Sequence, residues 1–396
     1  MRMIRTILIG AFAAAASGAA IPGAQPPRAA PFQVDPLWPK PLPNHWLLGS
    51  ITGVTVDARD HIWVVHRGGD SMNARTEIGL VSNPPSAESC CAPAPQVLEF
   101  DAAGALVGHW GGPGAGYDWP RSPGGLAIDA KGHVWITAGG VTEAPPSPGR
   151  GGRGSATAST TPPTPAVPPK ADAHVLKFSR AGKFLMQIGK AGEPGANDSK
   201  TALNRPAGVA VDAAANEVYI ADGFANRRIV VFDAETGAYK RHWGAYGKPP
   251  SDADPGEYRP GDPPAQHFRS VSCVEISKDG LVYVCDRKND RLQVFRKDGT
   301  FVKETVIQKD TRGEGSVWDV AFSSDPQQRQ LYVADGQDQK VFVLDRETLA
   351  IVSAIGGGGR WPGAFFGVGS VAVDSKGSIF TGENFEGKRL QKFVKR

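Results

Sequence analysis

Between Asn204 and Gly247 apolar and polar residues follow one another with a period of two, in four short runs separated by turn residues. Pro206 to Asp212 alternates small and β-branched side chains, and a turn at Ala213 to Asn216 leads into Glu217 to Asp222. A polar loop, Gly223 to Arg227, precedes a third run, Arg228 to Asp233. After Glu235-Thr236-Gly237 a fourth and more polar run extends from Ala238 to Trp243 and stops at Gly244. Four short antiparallel strands with tight turns form a single meander, which cannot bury its faces alone. The pattern therefore requires neighbours of the same kind.

The rest of the chain supplies them. The first-strand pattern recurs at 53–57, 125–129, 273–277, 319–323 and 370–374. The second recurs at 62–65, 134–137, 282–285, 331–334 and 379–382, and the third at 97–100, 175–178, 292–295, 341–344 and 390–393. Six copies at roughly 40 to 50 residues each, stretched where a loop is long, predict an all-β fold, a six-bladed β-propeller. The last copy ends with three strands. His45-Trp46-Leu47-Leu48-Gly49 resembles the fourth-strand endings His109-Trp110-Gly111 and His242-Trp243-Gly244, so this N-terminal segment is expected to add the outer strand of the last blade and close the ring.

Residues 1–20 read as a signal peptide: Arg2 and Arg5 precede an apolar run ending in Gly18-Ala19-Ala20. The run is too short for a stable membrane span, and no cysteine follows it for lipid attachment. The expectation is a secreted or periplasmic, soluble protein. Losing the two arginines takes the net charge from +4 to +2, with Lys and Arg scattered along the chain, which argues against a nucleic-acid partner. Residues 21–43 form a Pro-rich tether, 44–396 the propeller, and 141–173 a Gly-, Pro- and Thr-rich insertion in blade two with too little apolar content to pack, expected to be disordered. A closed propeller buries its own edges, so a monomer is expected.

Four cysteines in an exported chain invite disulfides. With a three-residue turn at Lys278-Asp279-Gly280, Ser277 faces Leu281 and, counting outward, Cys273 faces Cys285, which predicts a cross-strand disulfide. Cys90-Cys91, in a loop, is open to three readings: a vicinal disulfide, two free thiols, or a metal or redox site.

In each blade the start of the first strand and the end of the second lie at one end of the central channel. The residues heading the six first strands are Thr52, Gly124, Ala207, Ser272, Trp318 and Gly369, none a good metal ligand. The second strands close on His66, Ala138, Asp222, Asp286, Asp335 and Glu383, followed in two blades by Arg67 and Arg287. An Asp heading such a loop commonly caps backbone N–H groups, and an Arg there pairs with a neighbouring Asp; the functional alternative is two guanidinium groups converging on a carboxylate or an amide oxygen. His61, His109, His133, His174, His242 and His267 are read as surface residues of turns or outer strands.

The blades resemble NHL repeats, and the chain from about Trp46 to Phe393 resembles the propeller of peptidyl-α-hydroxyglycine α-amidating lyase and its exported bacterial relatives. The resemblance is carried by 52–57 through His66-Arg67-Gly68, by Asp222-Gly223-Phe224-Ala225-Asn226-Arg227-Arg228-Ile229-Val230, and by 285–293. It implies a channel zinc ion on three histidines, with a tyrosine and two arginines nearby, a calcium ion held largely by backbone carbonyls, and cleavage of a C-terminal α-hydroxyglycine to a peptide amide and glyoxylate. The two arginines fall on Arg67 and Arg287. The histidine positions fall on Gly124, Ser272 and Gly369, which cannot hold zinc, and the tyrosine falls on Phe224, which keeps the ring without the hydroxyl.

The expected function is binding of a small-molecule or peptide-like anionic ligand at the channel mouth by Arg67 and Arg287, assisted by His66, Asp222, Phe224, Trp318 and Asp319, with zinc absent and room for calcium in the channel. Arg67 and Arg287 are also the residues that any retained catalysis would use. The rivals are a C–N lyase, another enzyme using Asp222, Asp319 or Glu383 as base, and a protein-interaction scaffold.

Overall fold

The computed structural model describes residues 28–29, 31–140 and 171–396. The signal segment 1–20, and all but the last three residues of the 141–173 insertion, lie outside the described residues. Regular structure in what is described consists of strands and four short 3-10 turns. Six sheets, each built on four antiparallel strands running from inner to outer, follow one another along the chain, and Arg28–Ala29 adds a short parallel strand to the outside of the fifth. The third is Gly208–Asp212, Glu217–Asp222, Arg228–Asp233 and Tyr239–Trp243, the meander read from the sequence. The inner strands lie side by side in chain order, and Val368–Val373 of the sixth sheet returns against Ile51–Val56 of the first.

The hydrophobic core is divided into six parts, each sandwiched between adjacent blades. The second strands are therefore buried on both faces. In Ile62–His66, Ile62 and Val64 face blade six while Trp63 and Val65 face blade two, which is why these strands read as unbroken apolar runs. Outer strands such as Leu106–Trp110 have one wet face and alternate. At the rim opposite the channel mouth, turn residues pair from blade to blade: Arg180 with Asp57 at 2.7 Å, Lys131 with Glu235 at 2.9 Å, Arg346 with Asp279 at 2.9 Å, and Lys297 with Asp212.

The ring closes differently from the expectation. The outer strand of the sixth blade is Phe32–Asp35, paired antiparallel with Leu390–Lys395, so it comes from within the Pro-rich stretch and not from 45–49. Phe32 is buried and meets Tyr332 edge-on at 6.0 Å, while Gln33 is exposed, which is the alternation an outer strand needs. Trp38 then wedges between blades one and six against Phe100 and Phe380. Trp46–Leu47 instead pairs in parallel with Ala92–Pro93, and the Trp46 ring meets His109 at 4.9 Å over blade one. The His-Trp signature there marks an aromatic contact and a two-residue parallel pairing, not the outer strand of the last blade.

Cys273 and Cys285 are direct cross-strand partners, with Ser277 bonded to Leu281 across the turn, and they form the expected disulfide with Cα atoms 5.0 Å apart. Cys90 and Cys91 are joined to each other. One surface assignment fails: His174 lies in the third strand of blade two and is fully buried, its Nε2 bonded at 2.6 Å to the Asp118 carbonyl.

Candidate functional site at the channel mouth

The six residues heading the first strands, Thr52, Gly124, Ala207, Ser272, Trp318 and Gly369, all line one cavity of about 400 Å³. Blade geometry brings them together, because each first strand starts at the same height around the channel. None offers an imidazole, thiolate or carboxylate. A Cβ on Gly124 would lie 2.5 Å from Thr137 Oγ1 and 3.1 Å from the Ala207 carbonyl, so no larger side chain fits there without rearrangement.

Above this floor stand the arginines. Arg67 and Arg287 occupy equivalent places, one residue past strands that pair Ile51 with His66 and Val271 with Asp286. Their backbone N–H groups donate to the Ser50 and Ser270 carbonyls at 3.0 and 2.9 Å. The Arg287 guanidinium lies 4.4 Å from the Trp318 ring centre and 5.7 Å from that of Phe224, and it is ion-paired with Glu314. Its Nε is buried with no hydrogen-bond partner among the described residues. Burial, aided by the positive charge of Arg67, lowers the Arg287 pKa below the usual guanidinium value, against the pull of Glu314. A third arginine, Arg205, lies 5.9 Å from the Phe224 ring centre and donates from Nε to the Gly140 carbonyl at 3.1 Å. Lys288 and Phe385 also line the wall, and Glu314 is the only carboxylate lining it among the described residues.

Of the residues singled out in the sequence, Arg67, Arg287, Phe224 and Trp318 meet at this mouth. His66 does not. Its Nδ1 accepts from the Gly49 and Gly68 N–H groups at 3.1 and 3.0 Å, and its Nε2 donates to the Pro95 carbonyl at 2.9 Å. Burial pulls its pKa down to about 4 despite the carbonyl, so it is a neutral strut for the loop carrying Arg67. Asp222 is also withdrawn: fully buried, it pairs with Arg228 at 2.9 Å and accepts from the Asn204 backbone and the Asn226 amide. Asp286 does the same with Arg291, and Glu383 with Arg389.

Asp319 lies deeper in the channel, below the mouth. Its carboxylate accepts from the Val371 N–H of the next blade at 2.9 Å, and burial raises its pKa to about 7. Glu275 shares that narrow bore, and burial and then the Asp319 charge raise its pKa well above the ordinary carboxyl range. The site thus stacks a basic mouth on an acidic throat. Sequence reading missed Arg205, Glu314, Phe385 and Glu275. Arg205 had a usable signal, since it directly precedes the Pro206-Ala207 entry to an inner strand; Glu275 was hidden inside a strand whose alternate residues point into the bore.

The fold and its repeat define a class, the six-bladed NHL-type β-propeller: the NHL repeat family model matches residues 203–232, the first three strands of the third blade. A solved structure of a protein of unknown function from Bacteroides thetaiotaomicron has the same fold, with a TM-score of 0.50 and 13% identity over 88% of this chain and 70% of that one. In sequence the chain is similar to the peptidylglycine alpha-amidating monooxygenase of Rattus norvegicus, 26% identical over 269 residues, which is 66% of this chain and 22% of the relative. Against peptidyl-glycine alpha-amidating monooxygenase B of Xenopus laevis the identity is 33% over 126 residues, 32% of this chain and 13% of that one. The chain thus spans about a fifth of the length of the rat relative.

Among the described residues no helix is long and apolar enough to cross a membrane.

Proposed function

We propose that this propeller binds a carboxylate-bearing, peptide-like ligand at the channel mouth, and that the zinc site of the amidating-lyase family is absent from it. The observation that carries the reading is Arg287: a buried guanidinium held between Trp318 and Phe224, beside Arg67 and Arg205, its Nε without a partner among the described residues and its cavity lined by a single carboxylate among them. A pre-oriented guanidinium with donors to spare suits a planar carboxylate, and the flanking rings suit the apolar part of a ligand. Against zinc stand the residues themselves. Gly124, Ser272 and Gly369 cannot ligate it, and Gly124 has no space for a longer side chain. Two disulfides fit a protein that works outside the cytoplasm, in a periplasm or after secretion, and we take the working form to be a monomer.

The test uses the fluorescence of Trp318 at the site to titrate N-acetyl-Phe-Gly and its C-terminal amide. The free acid is expected to bind at least tenfold more tightly, the scale of one charge-assisted hydrogen bond, and the double variant Arg67→Ala, Arg287→Ala is expected to lose that binding while still melting cooperatively. Equal binding of acid and amide, or full affinity in the double variant, would reject the reading.

The similarity to amidating monooxygenases favours a second reading, a C–N lyase acting on C-terminal α-hydroxyglycine. It predicts about one zinc per chain in protein purified without chelator, and glyoxylate released from an α-hydroxyglycine peptide. We expect neither. Finding both would replace the binding reading with the lyase.

A further inference from the structure

We propose that the mouth continues into a second anion subsite, so that the ligand is an extended chain bearing an acidic group a few residues before its terminal carboxylate. The proposal rests on the reading of the mouth given above. Lys288 lines both the mouth and a neighbouring cavity of similar volume, about 400 Å³, roofed by residues 254–258 and walled by the 311–315 loop. Arg227, Arg269 and Arg312 face this second cavity together with Lys288.

The arginines are held mainly by neutral acceptors, although Asp286, Asp254 and Asp262 act on Arg269 from beyond ion-pair distance. Arg227 donates from Nη1 to the Ala253 carbonyl at 2.7 Å, and Arg269 donates from Nε to Asn289 Oδ1 at 2.6 Å and from Nη1 to the Gly256 carbonyl. These acceptors are neutral, and among the described residues none of the three arginines forms an ion pair with a carboxylate. Lys288 is ion-paired with Glu314 at 3.5 Å, and Asp254 and Glu257 lie in the roof, so the three arginines face two carboxylates across the cavity. Carbonyl oxygens hold the guanidinium groups in position without cancelling their charge, which leaves the cavity attractive to an anion. Because the two cavities meet at Lys288, one ligand can occupy both. Extended peptide advances about 3.3 Å per residue, so an acidic side chain two to four residues from the carboxyl end spans the distance expected between adjoining cavities of this size.

The experiment takes a series of N-acetylated pentapeptides ending in Phe-Gly, in which one position at a time, two to four residues from the carboxyl end, carries either Glu or Gln. Their affinities are compared in the wild-type protein, in the Arg227→Ala, Arg312→Ala variant, and in Arg312→Glu. At one position the Glu peptide is expected to bind roughly tenfold more tightly than its Gln partner. That ratio is expected to fall to about one in the double variant and to invert in Arg312→Glu, an exposed loop change that spares the core. A ratio near one at every position in the wild-type protein, or one that survives both variants, overturns the second subsite while leaving the mouth intact. Failure of every peptide to bind, Gln and Glu alike, overturns the mouth itself and the subsite with it.

Discussion

At the scale of single residues the same position in successive blades has different fates, set by one partner. Asp222 and Asp286 close their second strands opposite Arg228 and Arg291, and each pair is a buried ion pair. In blade five the cross-strand partner of Asp335 is Lys340, whose ammonium lies 5.9 Å from the Phe342 ring, and no ion pair forms between them. Asp335 Oδ1 accepts from the Gln337 and Asp338 N–H groups, but Oδ2 is buried without a partner, and burial raises its pKa to about 8. The folded protein therefore holds a proton that the unfolded chain has already lost, and stability present below about pH 4 falls as pH rises toward 8. Asp335→Asn keeps both accepted bonds and removes the charge. We expect it to stabilise the protein by about 2 kcal/mol at pH 9 and to be nearly neutral at pH 4, measured by urea unfolding. A loss at both pH values would show that the buried carboxylate makes a favourable contact. Asp222→Asn should behave oppositely, costing about 3 kcal/mol at neutral pH by stranding Arg228.

At the scale of elements the decisive piece is the short strand Phe32–Asp35. Without it Leu390–Lys395 would present an open edge, and Tyr332 and Phe393 would lose an apolar cover. Phe32→Ala is expected to cost about 3 kcal/mol in urea unfolding, and a chain shortened to begin at residue 37 to unfold earlier still and to aggregate. Wild-type stability in the shortened chain would show that Phe32–Asp35 does not hold the ring. The element-level reading of the sequence succeeded where pairing is local. The three-residue turn at Lys278-Asp279-Gly280 sets the register of its hairpin, so Cys273 opposite Cys285 could be counted from the sequence. It failed for the closing strand, because the pairing of 32–35 with 390–395 joins the two ends of the chain, and no local register constrains it.

At the scale of the whole molecule, charge is sorted along the channel axis. Arg67, Arg205, Arg287 and Lys288 crowd the mouth, while Asp319 and Glu275 occupy the throat. An anion is drawn to the mouth, and the bore below it has a volume of only about 50 Å³, so a ligand should lie across the opening and not thread through it. Binding of N-acetyl-Phe-Gly is accordingly expected to weaken several-fold as salt rises from about 0.02 to about 0.2 M, since the mouth is open to solvent and screened. A response flat in salt would place the carboxylate elsewhere.

What the sequence by itself determined was everything that rests on short-range periodicity: the strands, their number per blade, the six-fold repeat, the cross-strand disulfide, and the placing of Arg67, Arg287 and Trp318 at one end of the channel, with Phe224 added by the family resemblance. These follow because a period of two and a tight turn are properties of a few consecutive residues. Only the tertiary structure decided which segment closes the ring, that His66 and Asp222 turn inward to brace loops, and that Arg205 and Glu314 join the site. Those outcomes depend on where a side chain points once blades from distant parts of the chain converge, and on which buried polar groups find partners there; neither is written in any local pattern.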